Sequence, residues 1–316
     1  MAAAPSSARW PNERTKGLVG TLRPPASGLP AGDEKRRAVR EMFDTIAGSY
    51  DLLNRVNSLG MDRGWRRRCV SALELPAGSL VLDVACGTGD LCDELARQRY
   101  RPVGLDLSPG MLAQARARTA HRVDAGAPGR GERGPAPAPL VLADALGAPF
   151  RPAYFDGAVS AFALRNVVDL GQLFRQLAYA VRPGGRISLL ELSRPETAVL
   201  RFGHGLWCNY AVPLVGSLFS DAPAYRYLPK SLAYLPPPEE VVGMLEGAGF
   251  AAVQRVLLAG GTCQIYLATA GRHLAPRTSR RGGPEMPEMS ASNGSNVSGS
   301  NTGTPNAGTE GKAARS

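Results

Sequence analysis

The chain has 316 residues, 44% of them hydrophobic, with five cysteines and a net charge of +10. That apolar content suits one large or two small soluble domains, and no uninterrupted apolar run approaches the ~18 residues of a membrane-spanning helix. The positive charge sits mostly at the ends, roughly +5 in residues 1–40 and +3 in 271–316, which leaves no global field for nucleic acid in between.

Cys69, Cys86, Cys92, Cys208 and Cys263 are scattered and never form a C-x-x-C pair. With only His121, His204 and His273 beside them there is no zinc spacing, so no metal is expected and the thiols read as reduced. The start, "MAAAPSSARWPNERTKG", lacks the charged-then-apolar order of a signal peptide. These features point to a cytoplasmic protein.

Residues 1–37 are rich in Pro, Gly and Ala and read as a disordered tail, followed by one domain over 38–270. "MFDTIAGSYDLLN" places Phe43, Ile46 and Tyr50 on one helical face. "RGWRRR" (63–68) sets Trp65 among four arginines, either a solvated helix face or a contact with an anionic membrane surface. "LVLDV" (80–84) is a buried strand, "GDLCDELARQ" (89–98) a helix, and "RPVGLD" (101–106) a second strand. "SPGMLAQARART" (108–119) opens a helix with Ser at the N-cap and Pro at N1. Residues 121–139, dense in Gly and Pro, read as a flexible surface insertion.

"LVLAD" (140–144) and "DGAVSAFAL" (156–164) give two more strands. Asp169 caps a helix to about Val181 that "RPGG" stops, and "RISLLEL" (186–192) is a fifth strand. Residues 197–232 contain an apolar stretch, 206–219, and read as an inserted cap. A helix over 239–250 precedes two strands around Gly260 and Gly261, a hairpin. Residues 271–316 end in a Ser/Asn/Gly/Thr tract and read as a second disordered tail. Strand–helix alternation with continuously apolar strands predicts an α/β fold: a mostly parallel sheet covered by helices on both faces.

The turn "VLDVACGTGD" (81–90) carries the chemistry. Gly87 and Gly89 allow a tight turn and close approach of a ligand to the main chain. A dinucleotide site wants a third glycine where Cys92 stands, which disfavours a nicotinamide oxidoreductase. Asp83, four residues before Gly87, gives the strand-Asp-x-x-x-Gly-x-Gly pattern of S-adenosyl-L-methionine sites, with the carboxylate facing the methionine end. Asp106, ending the second strand, suits ribose hydroxyls, and Asp144, ending the third, suits the adenine amino group.

Taken with "MFDTIAGSYDLLNRVNSLGMDRGWRR" (42–67), "FALRNVVD" (162–169), "VRPGGRISLLELSRP" (181–195) and "DAPAYRYLPKSL" (221–232), the chain resembles the ubiquinone/menaquinone biosynthesis C-methyltransferases over residues 38–270. The resemblance implies a seven-stranded, Rossmann-like methyltransferase sheet whose last strand is antiparallel. It implies cofactor contacts at Thr88, Asp106, Asp144 and Ala145. A further family contact, a serine, falls on Ala161 here, lost or moved to Ser160. The pair Arg165–Asn166 would lie in the active site: the guanidinium stabilising developing phenolate charge, the amide orienting a quinol oxygen or a water. The alternative for Arg165 is a structural ion pair with a nearby acid such as Asp169. Tyr50 would either sit near the quinol hydroxyl, with Asp51 left open as the competing candidate, or be a core residue of its helix. The apolar residues of the cap over 197–232 read either as a seat for a polyprenyl tail or as ordinary packing against the sheet. Two features depart from the family pattern: the 121–139 insertion and "GGTCQIYLAT", where many members have a Val-Ala-Leu-His run after the paired glycines and the position near that histidine is Gln264 to Tyr266.

The resulting expectation is an S-adenosyl-L-methionine-dependent C-methyltransferase acting on a prenylated quinol, demethylmenaquinol first. A methyltransferase of another small aromatic metabolite and a non-catalytic scaffold of a quinone-biosynthesis complex remain the alternatives. Transient contact with the inner face of an anionic membrane and a homodimer are left open.

Overall fold

The computed structural model describes residues 32–271 apart from 49, 52–54, 56–57, 59, 125–136, 194, 196–230 and 232–233. Residues 1–31 and 272–316, most of the 121–139 insertion and nearly all of the 197–232 cap lie outside the described residues.

Helix α1 spans Gly32–Ile46 and begins six residues ahead of the boundary read from composition. Asp33 and Glu34 fill its first turn, where carboxylates complement the helix dipole, and Lys35 is buried. Helix α2 (Asp62–Ser71) follows. Its Trp65 meets Phe162 edge-on at 6.4 Å, and Arg66 is buried against Asp62 and Asp90. Only Arg63, Arg67 and Arg68 of the four arginines are exposed, so the helix face is not uniformly solvated.

The sheet is built from β1 (Leu80–Val84), β2 (Arg101–Asp106), β3 (Leu140–Leu142), β4 (Phe155–Ala161), β5 (Val181–Leu192), β6 (Phe250–Leu258) and β7 (Cys263–Ala270). Their spatial order is β3-β2-β1-β4-β5-β7-β6. The first five strands pair in parallel, and β7 lies antiparallel between β5 and β6. The hairpin turns through Gly260 and Gly261, whose φ values of +66° and +87° suit glycine. Helices α3 (Asp90–Arg97), α4 (Pro109–Asp124), α5 (Leu170–Ala180) and α6 (Pro238–Gly247) connect the strands. Phe155, Phe174, Leu173, Leu177, Leu189, Leu245 and Tyr266 form the buried centre, on elements β4, α5, β5, α6 and β7. Tyr266 is fully buried and Gln264 nearly so, accepting from Arg255 Nε at 2.6 Å. The departure from the family pattern at these positions is therefore inside the sheet.

Three strand limits differ from the sequence reading. β3 stops at Leu142, because Asp144 turns to cap the short turn Ala145–Gly147 by accepting from Leu146 N at 2.9 Å. β4 stops at Ala161, because Phe162 adopts φ +60° and the chain enters a 3₁₀ turn over Leu164–Asn166. β5 starts at Val181 rather than Arg186: Phe155 pairs with Val181 and Gly157 with Arg186, so "RPGG" bulges out between the pairs. Gly184 makes the bulge at φ +77°.

Where the two strands rejoin after the bulge, position 157 leaves no room for a side chain. A Cβ on Gly157 would stand 2.6 Å from Arg186 O and 2.7 Å from Leu75 Cδ1. Gly157→Ala should lower stability by about 1–3 kcal/mol through overpacking. A urea titration checks it: the midpoint falls at constant slope, whereas an unchanged midpoint would show that the sheet has room there.

Candidate active site

The carboxyl ends of parallel strands are where an open α/β sheet leaves a crevice. Here that crevice is an open cavity of about 120 Å³. Gly87 and Ala85 after β1, Asp106 to Ser108 after β2, Ala143 to Leu146 after β3 and Ala161 to Ala163 with Asn166 after β4 line it. Helix α1 closes it with Arg36, Val39, Arg40 and Phe43, and Tyr50 adds to that wall.

Asp106 is anchored through both of its carboxylate oxygens. Its Oδ2 accepts from Gly87 N and its Oδ1 from Ser108 N, both at 2.8 Å. Each oxygen keeps a lone pair for a ligand hydroxyl. Burial raises its pKa above the usual carboxylate range, against the lowering effect of the two amides. Asp144 accepts from Arg36 Nη1 at 3.0 Å through Oδ2, and Ala145 follows it on the cavity wall. Gly87, at φ +55°, passes Tyr50 with space for only about a methyl group between them, since a Cβ would sit 3.9 Å from the ring.

Asp83 is not on the cavity wall. It is fully buried under the glycine turn, with Oδ2 accepting from Cys92 Sγ at 3.3 Å and Oδ1 lacking a hydrogen-bond partner among the described residues. Burial pushes its pKa up to about 7. Thr88 and Gly89 are also turned from the cavity. Thr88 Oγ1 donates to Asp51 Oδ1 at 2.6 Å, and Gly89 is the left-handed N-cap of α3. Arg118 on α4 binds Asp51 at 2.8 Å, Asp90 at 2.7 Å and Asp93 at 3.4 Å, and reaches Thr88 O at 3.2 Å. This ionic cluster holds the glycine turn from behind. Tyr50 and Asp51 thereby part company: Tyr50 lines the cavity, edge-on to Phe43 at 5.8 Å, and Asp51 belongs to the cluster.

The Arg165–Asn166 pair is likewise divided. Asn166 lines the cavity, its Nδ2 donating to Phe162 O at 3.3 Å. Arg165 is buried away from the cavity wall, paired with Glu191 at the end of β5, and its Nε donates to Ser231 Oγ at 3.1 Å. Arg165 N also donates to Glu191 Oε2 at 3.2 Å. The structural ion pair is thus made with Glu191 and not with Asp169, which instead caps α5. The reason is the register: β4 and β5 are neighbours, so residues 26 apart in sequence meet at their ends. Ser160 does not reach the cavity, because its hydroxyl donates to Val84 O at 2.7 Å; Ala161 does.

Several residues of the site were not read from the sequence. Lys35 donates from Nζ to Arg165 O and Val167 O, each at 3.0 Å, and lies 3.9 Å from the Tyr234 ring centre. Burial lowers its pKa to about 8. Asp44 of α1 accepts from Ser108 Oγ at 2.5 Å and Gly110 N at 3.0 Å, joining the lid to the start of α4. Glu191 carried a signal that was available: an acid ending an apolar strand, as Asp106 and Asp144 do.

A nucleoside with a charged amino-acid tail fits this donor set. Asp106 offers two anchored oxygens for ribose, Asp144 an acid at the neighbouring strand end, and Asp83 a buried acid beneath the turn whose Oδ1 has no partner among the described residues. The wall between them is largely apolar, with Leu105, Met111 and Leu146.

Residues 31–270 match the model of the ubiE/COQ5 methyltransferase family. A protein of Roseiflexus castenholzii named demethylmenaquinone methyltransferase is 37% identical over 243 residues, covering 75% of this chain and 95% of that one. One of Geobacter sulfurreducens named ubiquinone/menaquinone biosynthesis C-methyltransferase UbiE is 38% identical over 220 residues, 69% and 82% of the two chains. The solved phosphoethanolamine N-methyltransferase 2 of Haemonchus contortus, in complex with S-adenosyl-L-methionine, shares the fold with a TM-score of 0.54 at 15% identity, over 78% and 61%.

The Asp83 environment makes a pH-dependent prediction. Its folded pKa lies above the ordinary 3.8, so the folded state holds the extra proton between there and about 7. The stability of the ligand-free protein attributable to this group therefore falls as pH rises through that window, and the cost is fully present above it. Asp83→Asn should match wild type in thermal midpoint near the bottom of the window. It should exceed wild type by several degrees at about pH 8. A variant less stable than wild type at the upper pH would mean that the carboxylate is paired.

Proposed function

Because the chain belongs to the ubiE/COQ5 methyltransferase family, we propose that it methylates a ring carbon of a prenylated quinol, demethylmenaquinol before others. It is an S-adenosyl-L-methionine-dependent C-methyltransferase of quinone biosynthesis. The observation that carries the site assignment is the Asp106 carboxylate, anchored by Gly87 N and Ser108 N at the edge of a mostly apolar cavity.

When bound, S-adenosyl-L-methionine supplies a methyl group already made electrophilic by its sulfonium. Asp106 would take the ribose hydroxyls, Asp144 and Ala145 the adenine, and Gly87 the region of the amino-acid tail. Thr88 and Gly89 act one layer back, Thr88 through Asp51 and Arg118 and Gly89 by permitting the turn. Asp83 would serve the cofactor's ammonium through the field of its carboxylate, whose ionised form a nearby cation favours.

The acceptor ring would lie against Phe43, Met111 and Phe162, which exclude water from the reacting atoms. A quinol hydroxyl, with a phenolic pKa of about 10, is protonated at neutral pH. A hydrogen bond from the Asn166 amide to that oxygen favours its anion and pushes electron density to the ring carbon. Tyr50, on the opposite wall with Phe43, would orient the same head group. Arg165 works from beneath, holding the turn with Glu191, so its charge is neutralised before it reaches the substrate. Exposed Arg63, Arg67 and Arg68 on α2 would favour an anionic bilayer, where a prenylated quinol resides. No described helix is long and apolar enough to cross a membrane.

The test is chemical. The purified protein with S-adenosyl-L-methionine and demethylmenaquinol should yield menaquinol by mass spectrometry. Asn166→Ala should lower kcat by about 100–1000-fold, the range for losing one oxyanion donor. Its affinity for S-adenosylhomocysteine should stay within about threefold, under 1 kcal/mol. Absence of product with demethylmenaquinol, but transfer to a prenylated benzoquinol, would reassign the head group; transfer to neither would overturn the reading.

A further inference from the structure

The structure assigns Lys35, on the lid helix, the role of positioning residue for the acceptor side of the site: it fixes the turn that presents Asn166. The inference rests on the reading of Asn166 given above.

Lys35 Nζ donates to the carbonyls of Arg165 and Val167, the two residues that flank Asn166, each at 3.0 Å. One ammonium therefore brackets the side chain that lines the cavity. The turn over Leu164–Asn166 is a single 3₁₀ turn, too short to hold itself, and it follows Phe162, strained at φ +60°. The last carbonyls of such a turn have no partner within it. The Lys35 ammonium supplies that partner, and the Tyr234 ring, 3.9 Å from Nζ, covers it as a cation–π contact. Lys35 itself is 5% exposed, so these contacts replace its water.

The neighbouring residue makes the arrangement more than a local tie. Arg36 reaches Asp144 on the far side of the cavity, at the end of β3. Successive residues of one helix thus grip the two walls, Lys35 the β4 side and Arg36 the β3 side. Closing α1 and setting Asn166 are then one event, because the same helix does both. An arginine in place of Lys35 keeps the charge but has a planar fork in place of a compact ammonium, and it cannot bracket both carbonyls with one atom.

Two readouts test this, one independent of catalysis. In ligand-free Lys35→Met, amide hydrogen exchange over residues 164–168 should quicken by about 10-fold or more, while β4 stays at the wild-type rate. In turnover, Lys35→Met should lower kcat by about 10-fold or more with S-adenosylhomocysteine affinity within about threefold. Lys35→Arg should fall between it and wild type, which separates loss of geometry from loss of charge. In the Asn166→Ala background, Lys35→Met should cost little further, since both act through one side chain. Unchanged exchange in the turn would overturn the inference whatever the enzyme methylates. Losses that multiply in the double variant would do so too, by showing that Lys35 works apart from Asn166. If wild type methylates no quinol while exchange responds as expected, the positioning role stands and the substrate reading fails.

Discussion

Two backbone amides meeting one carboxylate organise the site. Gly87 N and Ser108 N belong to the turns after β1 and β2, and both donate to Asp106 at 2.8 Å. The bonds fix the distance between the two turns that would cradle a nucleoside. They also explain the glycine: Gly87 at φ +55° presents its N–H to Asp106 and leaves the cavity side without a Cβ. Charge-assisted bonds of this kind are stronger than neutral ones, and they offset part of the burial that raises the Asp106 pKa.

Apart from the Arg36–Asp144 pair and Asn166 on its wall, the remaining polar anchoring lies around the cavity. Behind the turn, Arg118 gathers Asp51, Asp90 and Asp93. Beneath β4, Arg165 and Glu191 form a buried pair, a costly arrangement to break because either partner alone would be an uncompensated charge. Above, α1 closes the opening with Val39 and Phe43 inward and Lys35, Arg36 and Asp44 tied to three different elements. The cavity itself keeps an apolar wall, as a site for an aromatic acceptor requires. Preorganised donors such as Asn166 are worth more in such a setting than in water.

The strands were legible because β1 and β2 are short, mostly apolar segments with special residues at or just past their ends, Gly87 in one case and Asp106 in the other. The hairpin was legible from Gly260 and Gly261. Pairing across the sheet was not: Glu191 and Arg165 meet through register, which no local spacing encodes. Lys35 was hidden in a basic run whose charge was assigned to a tail, although its burial makes it part of the site. Tyr50 and Asp51 could not be separated in sequence; adjacent helical residues point about 100° apart, and only the packing of the helix decides which faces inward. Thr88 illustrates the opposite limit. A family contact carried over by position can be occupied by another partner, here Asp51.

The central claim is that the anchored Asp106 carboxylate receives the cofactor's ribose at the edge of this cavity. A crystal structure of the full chain with S-adenosylhomocysteine tests it most directly. Both ribose hydroxyls should lie about 3 Å from the Asp106 oxygens, with the Gly87 and Ser108 amide bonds intact. A nucleoside bound outside the cavity, or inside it with the ribose away from Asp106, would contradict the account.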